Sequence, residues 1–249
     1  MHVVTSDANQ VFFTFLKDMV CNSQLYGQLQ LPRYIRIVST VDQLCEQLYP
    51  QRLLHDAVIS HRALIRRAIL AFQNDTVDDF NNMLIDQMPG QGYCFEAANH
   101  VDLPEDTANV EPFAVEYLQS ISLASILPSC LKLKIGAPVI HPCNLSTGEG
   151  LCNGTRMTVL GIRRTCLQVA IMGGKMDGKI CLLPQIKLTT TDDDLPFLLQ
   201  RTQFPVRLCF AMTVNKSQKQ SLENVGVDLC TSAFTHGQLY VALSMSHLT

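Results

Sequence analysis

Apolar positions at helical spacing predict four helices in the first half of the chain, at residues 11–20, 41–49, 76–88 and 113–126. The third is the best marked, because Asp75 suits an N-cap and Pro89 ends the segment. A run rich in Ile and Leu that starts near Ala63 predicts a buried strand before it. The polar, acidic stretch 90–112 predicts a loop after it.

From Leu131 the pattern changes to short strands. Lysines alternate with apolar residues in LKLKIGAPVI, so one strand face is charged and the other is buried. MTVLGI, CLQVAIM and ICLLPQI predict further strands, with Asn153-Gly154 as a tight turn between the first two blocks. The pattern predicts a small β-barrel or β-sandwich inserted between two α/β segments.

The last 45 residues return to an α/β pattern. An apolar run at 206–214 ends in a polar turn, a short strand follows at 225–229, and a helix is predicted at 237–244. Strand, polar turn, strand and helix in this order favour a sheet that carries functional groups at strand ends.

Composition narrows the class of protein. Hydrophobic residues make up 47% of the chain, which indicates a folded protein, and no apolar run reaches the ~18 residues that cross a bilayer. The N-terminal residues lack the basic region of a secretory signal. The ten cysteines contain no CxxC pair, which favours reduced thiols in a nuclear or cytosolic protein.

Charge is distributed unevenly along the chain. The net charge is −3 overall, but residues 1–130 carry −8, residues 131–219 carry +7 and residues 220–249 carry −2. Phosphate contacts need local positive charge, so a nucleic-acid surface is expected in the middle segment. Chance asymmetry is the alternative.

The segment TVNKSQKQSL, residues 213–222, follows the predicted strand. It resembles the TINKSQGQSL motif of the Pif family of DNA helicases, most closely the helitron transposon branch, with Lys219 in place of a glycine. The resemblance implies that side chains of this motif contact a DNA backbone; the candidates are Thr213, Asn215, Lys216, Ser217 and Gln218. A solvated turn is the alternative.

The segment HGQLYVALS, residues 236–244, matches the last motif of the same family at every position. In that family the next residue is an arginine finger that stabilises the transition state of ATP hydrolysis. Here the position is Met245, whose thioether cannot donate a hydrogen bond or carry charge. The resemblance makes Gln238 and Ser244 candidates for the nucleotide side. A packed amphipathic helix is the alternative.

The middle block is similar to the accessory β-domain of the family, which has the pattern LKLKVGAPVM, NL and LCNGTR. In relatives this domain lies over the single strand, so the resemblance makes Lys132, Lys134 and Arg156 candidates for phosphate contacts. Charge on solvent-facing strands is the alternative. Residues 67–81 resemble, less closely, the segment that opens the second RecA-like domain of the family.

Two elements of an ATPase site are missing from the sequence. It contains no GxxxxGK[ST] phosphate loop and no Asp-Glu pair to hold magnesium. ATP and Mg²⁺ are expected for the intact family, but none for this chain alone, and no catalytic residue is assigned. No metal site is expected, because His141, Cys143 and Cys152 are too few for structural zinc.

The resemblance therefore implies an α/β fold that contains the C-terminal half of a helicase. Residues 1–60 are expected to be the tail of a first motor domain and a connector. Residues 61–110 plus 195–249 are expected to form the second RecA-like domain. Residues 111–194 are expected to form the inserted accessory domain, a small β-barrel of SH3 or OB type.

The expected function is that of the C-terminal portion of a Pif-like ATP-dependent DNA helicase that does not hydrolyse ATP by itself. Expected partners are single-stranded DNA and a missing or separately encoded first motor domain, without a membrane and in the nucleus. Three alternatives stay open: a non-enzymatic single-strand-binding module, a decayed transposon remnant, and a gene model that lacks an upstream exon.

Overall fold

The computed structural model describes residues 12, 14–19, 31–33, 35–57, 61–102, 113–123, 125–190, 195–218, 220–231 and 237–245. Residues 14–19 are helical. The further helices are α1 Val41–Leu48, α2 Gln51–His55, α3 His61–Ile65, α4 Asn74–Gln87, α5 Val115–Ser120, α6 Val214–Ser217 and α7 Gln238–Ser244. The strands are β1 Arg67–Ala71, β2 Tyr93–Glu96, β3 Ala98–Asp102, β4 Cys130–Leu133, β5 Pro138–Ile140, β6 Arg156–Ile162, β7 Cys166–Ile171, β8 Ile180–Pro184, β9 Ile186–Thr189, β10 Leu198–Gln203, β11 Arg207–Leu208, β12 Ala211–Thr213 and β13 Asn224–Val227.

A three-stranded parallel sheet of order β12-β1-β13 lies at the centre of the α/β part. Strand β1 is almost entirely buried, as its apolar sequence requires. Helices α1 and α4 pack against this sheet, and their apolar faces meet it in one core. The prediction of a strand from Ala63 is wrong, because residues 61–65 form α3 and the strand begins at Arg67.

Helix α4 begins earlier than predicted. Its N-cap is Gln73 rather than Asp75, which lies inside the first turn, where a carboxylate still suits the helix dipole. Its buried Asn81 exchanges two hydrogen bonds with the backbone of Ala211, at 3.0 and 3.2 Å. Because β12 ends the order of its sheet, this side chain acts as a further partner for the edge strand.

The apolar run at 206–214 is divided between two sheets. Strand β11 pairs with β5 in the β-rich part, whereas β12 pairs with β1 in the parallel sheet. Cys209 and Phe210 connect them and are fully buried. The chain therefore passes from the β-rich core into the α/β core without reaching the surface.

The β-rich part contains three antiparallel sheets. Five strands pair in the order β11-β5-β6-β7-β8, three in the order β3-β10-β9, and β2 pairs with β4. Among the described residues these pairings leave the five-stranded sheet open, so they do not form the closed barrel that was predicted. Strands predicted between residues 131 and 187 are confirmed, and Gly154 turns with a φ of 90°.

The prediction of a loop over 90–112 is wrong where the structure describes it, because β2 and β3 occupy residues 93–102. The side chains of β2 alternate between half-buried and exposed, and Phe95 makes an edge contact with Phe204 at 5.0 Å between ring centres. The helix predicted at 113–126 is shorter, Val115–Ser120.

The predictions for α1, β13 and α7 are confirmed to within one or two residues. Part of the helix predicted at 11–20 lies outside the described residues. No described helix has the length and apolar content needed to cross a membrane.

Candidate nucleic-acid interface

A groove with a volume of about 1140 Å³ lies between the α/β part and the β-rich part. One wall is formed by residues 215–216, 218 and 220–222, which follow the carboxyl end of β12. The opposite wall is the turn at Asn153 and Gly154, which precedes β6. The two walls touch, because the side-chain amide of Gln220 donates a hydrogen bond to the carbonyl oxygen of Gly154 at 3.0 Å.

The candidate residues on and beside helix α6 differ in their exposure to solvent. Asn215, Lys216 and Gln218 are exposed and line this groove. Ser217 is fully buried, and its hydroxyl donates to the carbonyl of Val214 at 2.7 Å, so it holds the turn together. Thr213 precedes the helix and lines a smaller neighbouring cavity of about 220 Å³. Lys219 and His236 lie outside the described residues.

Five basic and two acidic side chains are among the described residues that line the groove: Arg62, Arg66, Arg156, Arg207, Lys216, Asp177 and Glu223. Arg62 pairs with Asp177 at 3.2 Å, and Arg66 pairs with Glu223. Both pairs are largely exposed, so their contribution to stability is small. The positive charge beyond these pairs comes from Arg156, Arg207 and Lys216.

Arg207 and Lys216 line both cavities, with Asp78 beside them. Desolvation and the nearby charge of Arg207 lower the pKa of Lys216, while Asp78 opposes the shift. Desolvation also lowers the pKa of Arg207 and raises that of Asp78. Two cations that share one carboxylate would be stabilised by an added anion.

The structure places Arg156 in the interior. It is 5% exposed, and its guanidinium donates to the carbonyls of Arg67 and Cys209 at 3.0 and 3.3 Å. Its Nε is buried without a hydrogen-bond partner. Arg156 therefore connects the start of β6 to β1 and to the segment between β11 and β12. Only a small part of the Arg156 side chain faces the groove.

Lys132 and Lys134 lie away from the groove, at the end of α4. The ammonium of Lys132 is 3.4 Å from a carboxylate oxygen of Asp86. The ammonium of Lys134 donates to the carbonyls of Asp86 and Met88 at 3.3 and 2.5 Å. A cation at these carbonyls stabilises the helix terminus, so the structure gives Lys134 a capping role. Lys132 also lines the smaller cavity.

The residues at the nucleotide-side positions lie on or after α7. Met245 packs against the apolar cluster around Leu70 and Met212. The hydroxyl of Ser244 donates to the carbonyl of Val241 at 2.8 Å, within its own helix. Gln238 is half-buried at the first position of the helix. None of the three lines either cavity.

His141 is a groove residue that the sequence did not single out for nucleic acid. It is fully buried, its Nε2 has no hydrogen-bond partner, and its Nδ1 is 3.8 Å from the sulfur of Cys143. Burial lowers its pKa, although a hydrogen bond with Pro205 opposes the shift. The described residues contain no cluster of His, Cys, Asp and Glu that could hold a metal ion.

Arg207 lines the groove but was not predicted to do so, although its position in the sequence is unusual. It is the one charged position in the apolar run at 206–214. Its guanidinium donates to the carbonyls of Leu123 and Ile126 at 3.2 and 2.5 Å. A charged residue in an otherwise buried run needs such partners, so its position alone indicated a contact to be explained. Arg62 and Arg66 carried no such signal.

Comparisons with known proteins agree with this geometry. Residues 116–162 match the family model described as the 2B domain of DNA helicase Pif1. The chain is 28% identical over 222 residues to the human ATP-dependent DNA helicase PIF1, which covers 87% of this chain and 31% of the human protein. It is 28% identical over 178 residues to Pif1 of Campylobacter jejuni, which covers 69% of this chain and 38% of that protein. The chain spans about a third of the length of these curated relatives.

Solved structures show the same fold. The crystal structure of Pif1 helicase from Candida albicans aligns with a TM-score of 0.61 at 22% identity, over 95% of this chain and 51% of that one. The crystal structure of Pif1 helicase from Bacteroides in complex with ADP-AlF3 and ssDNA aligns with a TM-score of 0.55 at 20% identity, over 95% and 47%.

The parallel sheet and these likenesses define a protein with a RecA-like α/β fold. The matched family model and the curated relatives carry the comparison further, because they are similar to this chain in sequence and all of them are Pif-family DNA helicases.

Proposed function

We propose that this chain is the C-terminal portion of a Pif-like ATP-dependent DNA helicase and contacts single-stranded DNA in the groove. The observation that carries the proposal is the contact of Gln220 with Gly154, which joins two separate sequence motifs at one basic groove. A polynucleotide backbone is the anion that fits, because an extended groove tracks successive phosphates.

Within the groove we assign the contacts to Lys216, Asn215 and Gln218, which are exposed together on one wall. Lys216 and Arg207 are near each other and are partly desolvated, and a phosphate would relieve the repulsion between them. Thr213 and Lys132 line the smaller cavity, which extends the same surface toward α4. Arg156, Ser217 and Lys134 support the fold around it.

We also propose the domain division. Residues 61–110 and 195–249 form the second RecA-like domain, and residues 111–194 form a β-rich accessory domain. Strand β10 of the first of these domains pairs with β3 of the same domain and with β9 of the accessory domain. Residues 1–60 are the tail of a first motor domain and the connector that follows it.

The residues of this chain do not fit an ATP site. The sequence has no phosphate loop, and Met245 offers a packed thioether where an arginine finger would stand. We propose that ATP and Mg²⁺ are used only when a first motor domain is supplied. Restoring arginine at position 245 alone then gives no ATP turnover.

The process is proposed from the family. Pif-like unwinding would serve recombination, repair or telomere maintenance in the nucleus, or the rolling-circle transposition of the helitron branch. A second candidate, a single-strand-binding module without catalysis, is favoured by Met245 because that side chain packs against an apolar cluster and offers no charge to a phosphate. A decayed transposon remnant is the third reading.

The test is binding of a fluorescent single-stranded oligonucleotide by anisotropy, at low and at moderate salt, beside an ATPase assay on the same sample. Salt-sensitive binding without ATP turnover is the expected result. Adding a separately expressed first motor domain to the Met245→Arg chain then separates a helicase portion, which gains ATP turnover, from a binding module, which does not. If no binding is seen at either salt, the similarity to the helicases reflects common ancestry without a retained function. ATP turnover by the pure chain would overturn the proposal.

A further inference from the structure

Two exposed cysteines lie side by side on the ribbon formed by β2 and β4. In the antiparallel register Cys94 is opposite Lys132 and Cys130 is opposite Glu96, so the two cysteines are diagonal neighbours on the solvent face. Their sulfur atoms are 2.8 Å apart, although 36 positions separate the residues in the sequence. Neither belongs to the groove.

We propose that Cys94 and Cys130 form a modification site, a vicinal dithiol that small-molecule disulfides convert into an intramolecular disulfide. The sulfur atoms need to approach each other by less than about 1 Å, because the S–S bond length is ~2.05 Å. Four register pairs hold the strands together, so each thiol stays within reach of the other. Such proximity makes the second step effectively unimolecular.

The chemistry balances without a group that the protein lacks. The thiolate of Cys94 attacks one sulfur of the small disulfide and releases one small thiol, which leaves a mixed disulfide on Cys94. The thiolate of Cys130 then attacks the Cys94 sulfur and releases the second small thiol. Two protein thiols are oxidised, one small disulfide is reduced, and the two protons leave with the small thiols.

The order of the two steps follows from the contacts of Cys130. Partial desolvation, together with a hydrogen bond to the sulfur of Cys94 and the charge of that sulfur, raises the pKa of Cys130 to about 11. Lys132 lowers this pKa and Glu96 raises it further. Cys130 is therefore held as the thiol while Cys94 reacts first. Once Cys94 is a mixed disulfide, the contact between the two free thiols no longer exists and Cys130 can ionise more easily.

Oxidation would change the surroundings of α4. The disulfide would fasten β4 to β2. Lys132 lies on β4 and Lys134 directly follows it, and both lysines contact the end of that helix. The segment between the two cysteines would become a closed loop that includes β3 and α5. This segment also supplies one side of the smaller cavity, so its freedom to move would fall.

The test is peptide mapping by mass spectrometry after the folded chain is incubated with glutathione disulfide and its remaining thiols are alkylated. We expect the peptides that contain Cys94 and Cys130 to be joined, with loss of both thiols together, and dithiothreitol to restore them. In the Cys94→Ser and Cys130→Ser variants the remaining cysteine should carry glutathione. The Cys230→Ser variant, which removes another exposed cysteine with a raised pKa, should keep the link.

The same oxidation in urea gives the second control, since unfolding removes the register that pairs the two residues. There the specific link should fall to the level of random pairing among the ten cysteines. The proposal is overturned if folded wild-type protein carries glutathione or alkyl groups on both Cys94 and Cys130. It is also overturned if Cys230 is modified fully before any link forms.

Discussion

The side-chain amide of Gln220 donates a hydrogen bond to the carbonyl oxygen of Gly154 at 3.0 Å. These residues belong to motifs that are 66 positions apart in the sequence and on opposite walls of the groove. Gly154 accepts this hydrogen bond with a φ of 90°, a conformation that other residues rarely adopt. The contact therefore sets the width of the groove at this point.

Replacing Gly154 by alanine should destabilise the protein by about 1–3 kcal/mol, because a side chain is strained at this φ. In addition, its Cβ would lie 3.3 Å from the Gln220 amide. Urea unfolding measures the effect. Gly173→Ala is the matched control, since Gly173 has a φ of 88° and open space around it. Equal losses in the two variants would show that the contact with Gln220 has no part in the effect.

Asn81→Ala should lower the free energy of unfolding by about 2–3 kcal/mol, because it leaves the Ala211 backbone groups short of two buried hydrogen bonds. Since Ala211 begins the strand that leads to Lys216, binding of single-stranded DNA should weaken as well. Gln87→Ala, at an exposed position of the same helix that lines neither cavity, should change neither property. Similar losses at both positions would contradict this role.

Gly226→Ala should cost about 1–3 kcal/mol, because its Cβ would lie 2.5 and 2.7 Å from the side chains of Leu48 and Leu44 on α1. The glycine thus permits α1 to pack closely on β13. Thermal unfolding tests this against Gly148→Ala, where nothing lies within 4 Å of the added carbon. A Gly226→Ala protein as stable as wild type would mean that α1 is not seated on this strand.

His141 should make stability depend on pH. Burial lowers the pKa of His141 in the folded state below the ~6.5 of the unfolded chain. At pH values near and below 6.5 the unfolded state therefore binds more protons than the folded state. The free energy of unfolding should therefore fall as the pH is lowered below about 6.5, by at most ~1.4 kcal/mol per pH unit for one proton. Urea titrations of wild type and His141→Gln between pH 7 and 5 measure the difference. Parallel curves would exclude the contribution.

Local patterns predicted the elements whose partners are near or whose apolar spacing is regular. Strand β13 and helix α7 follow from such spacing. Strand β2 was missed because its sequence, YCFE, does not alternate clearly between apolar and polar residues. Its partner β4 also lies far along the chain. Pairing across such distances leaves little signal in a single sequence.

The sequence predicted some of the residues that line the groove, but not which basic residues are buried. Lys216, Asn215 and Gln218 reach the groove as the motif indicated. Arg156 was predicted at the surface, yet its partners Arg67 and Cys209 are 89 and 53 positions away, so its burial depends on tertiary contacts. Arg207 joins the groove for the same reason.

The most direct measurement is the salt dependence of single-stranded DNA binding by wild type, Lys216→Gln and Lys187→Gln. Lys187 is exposed on β9 and lines neither cavity, so its variant carries the same charge change elsewhere. We expect Lys216→Gln to reduce the slope of log affinity against log salt by about 0.7 to 1, the value of one lost phosphate contact. Lys187→Gln should leave the slope unchanged. Equal slopes in all three proteins would contradict the assignment of the groove as the DNA-binding surface.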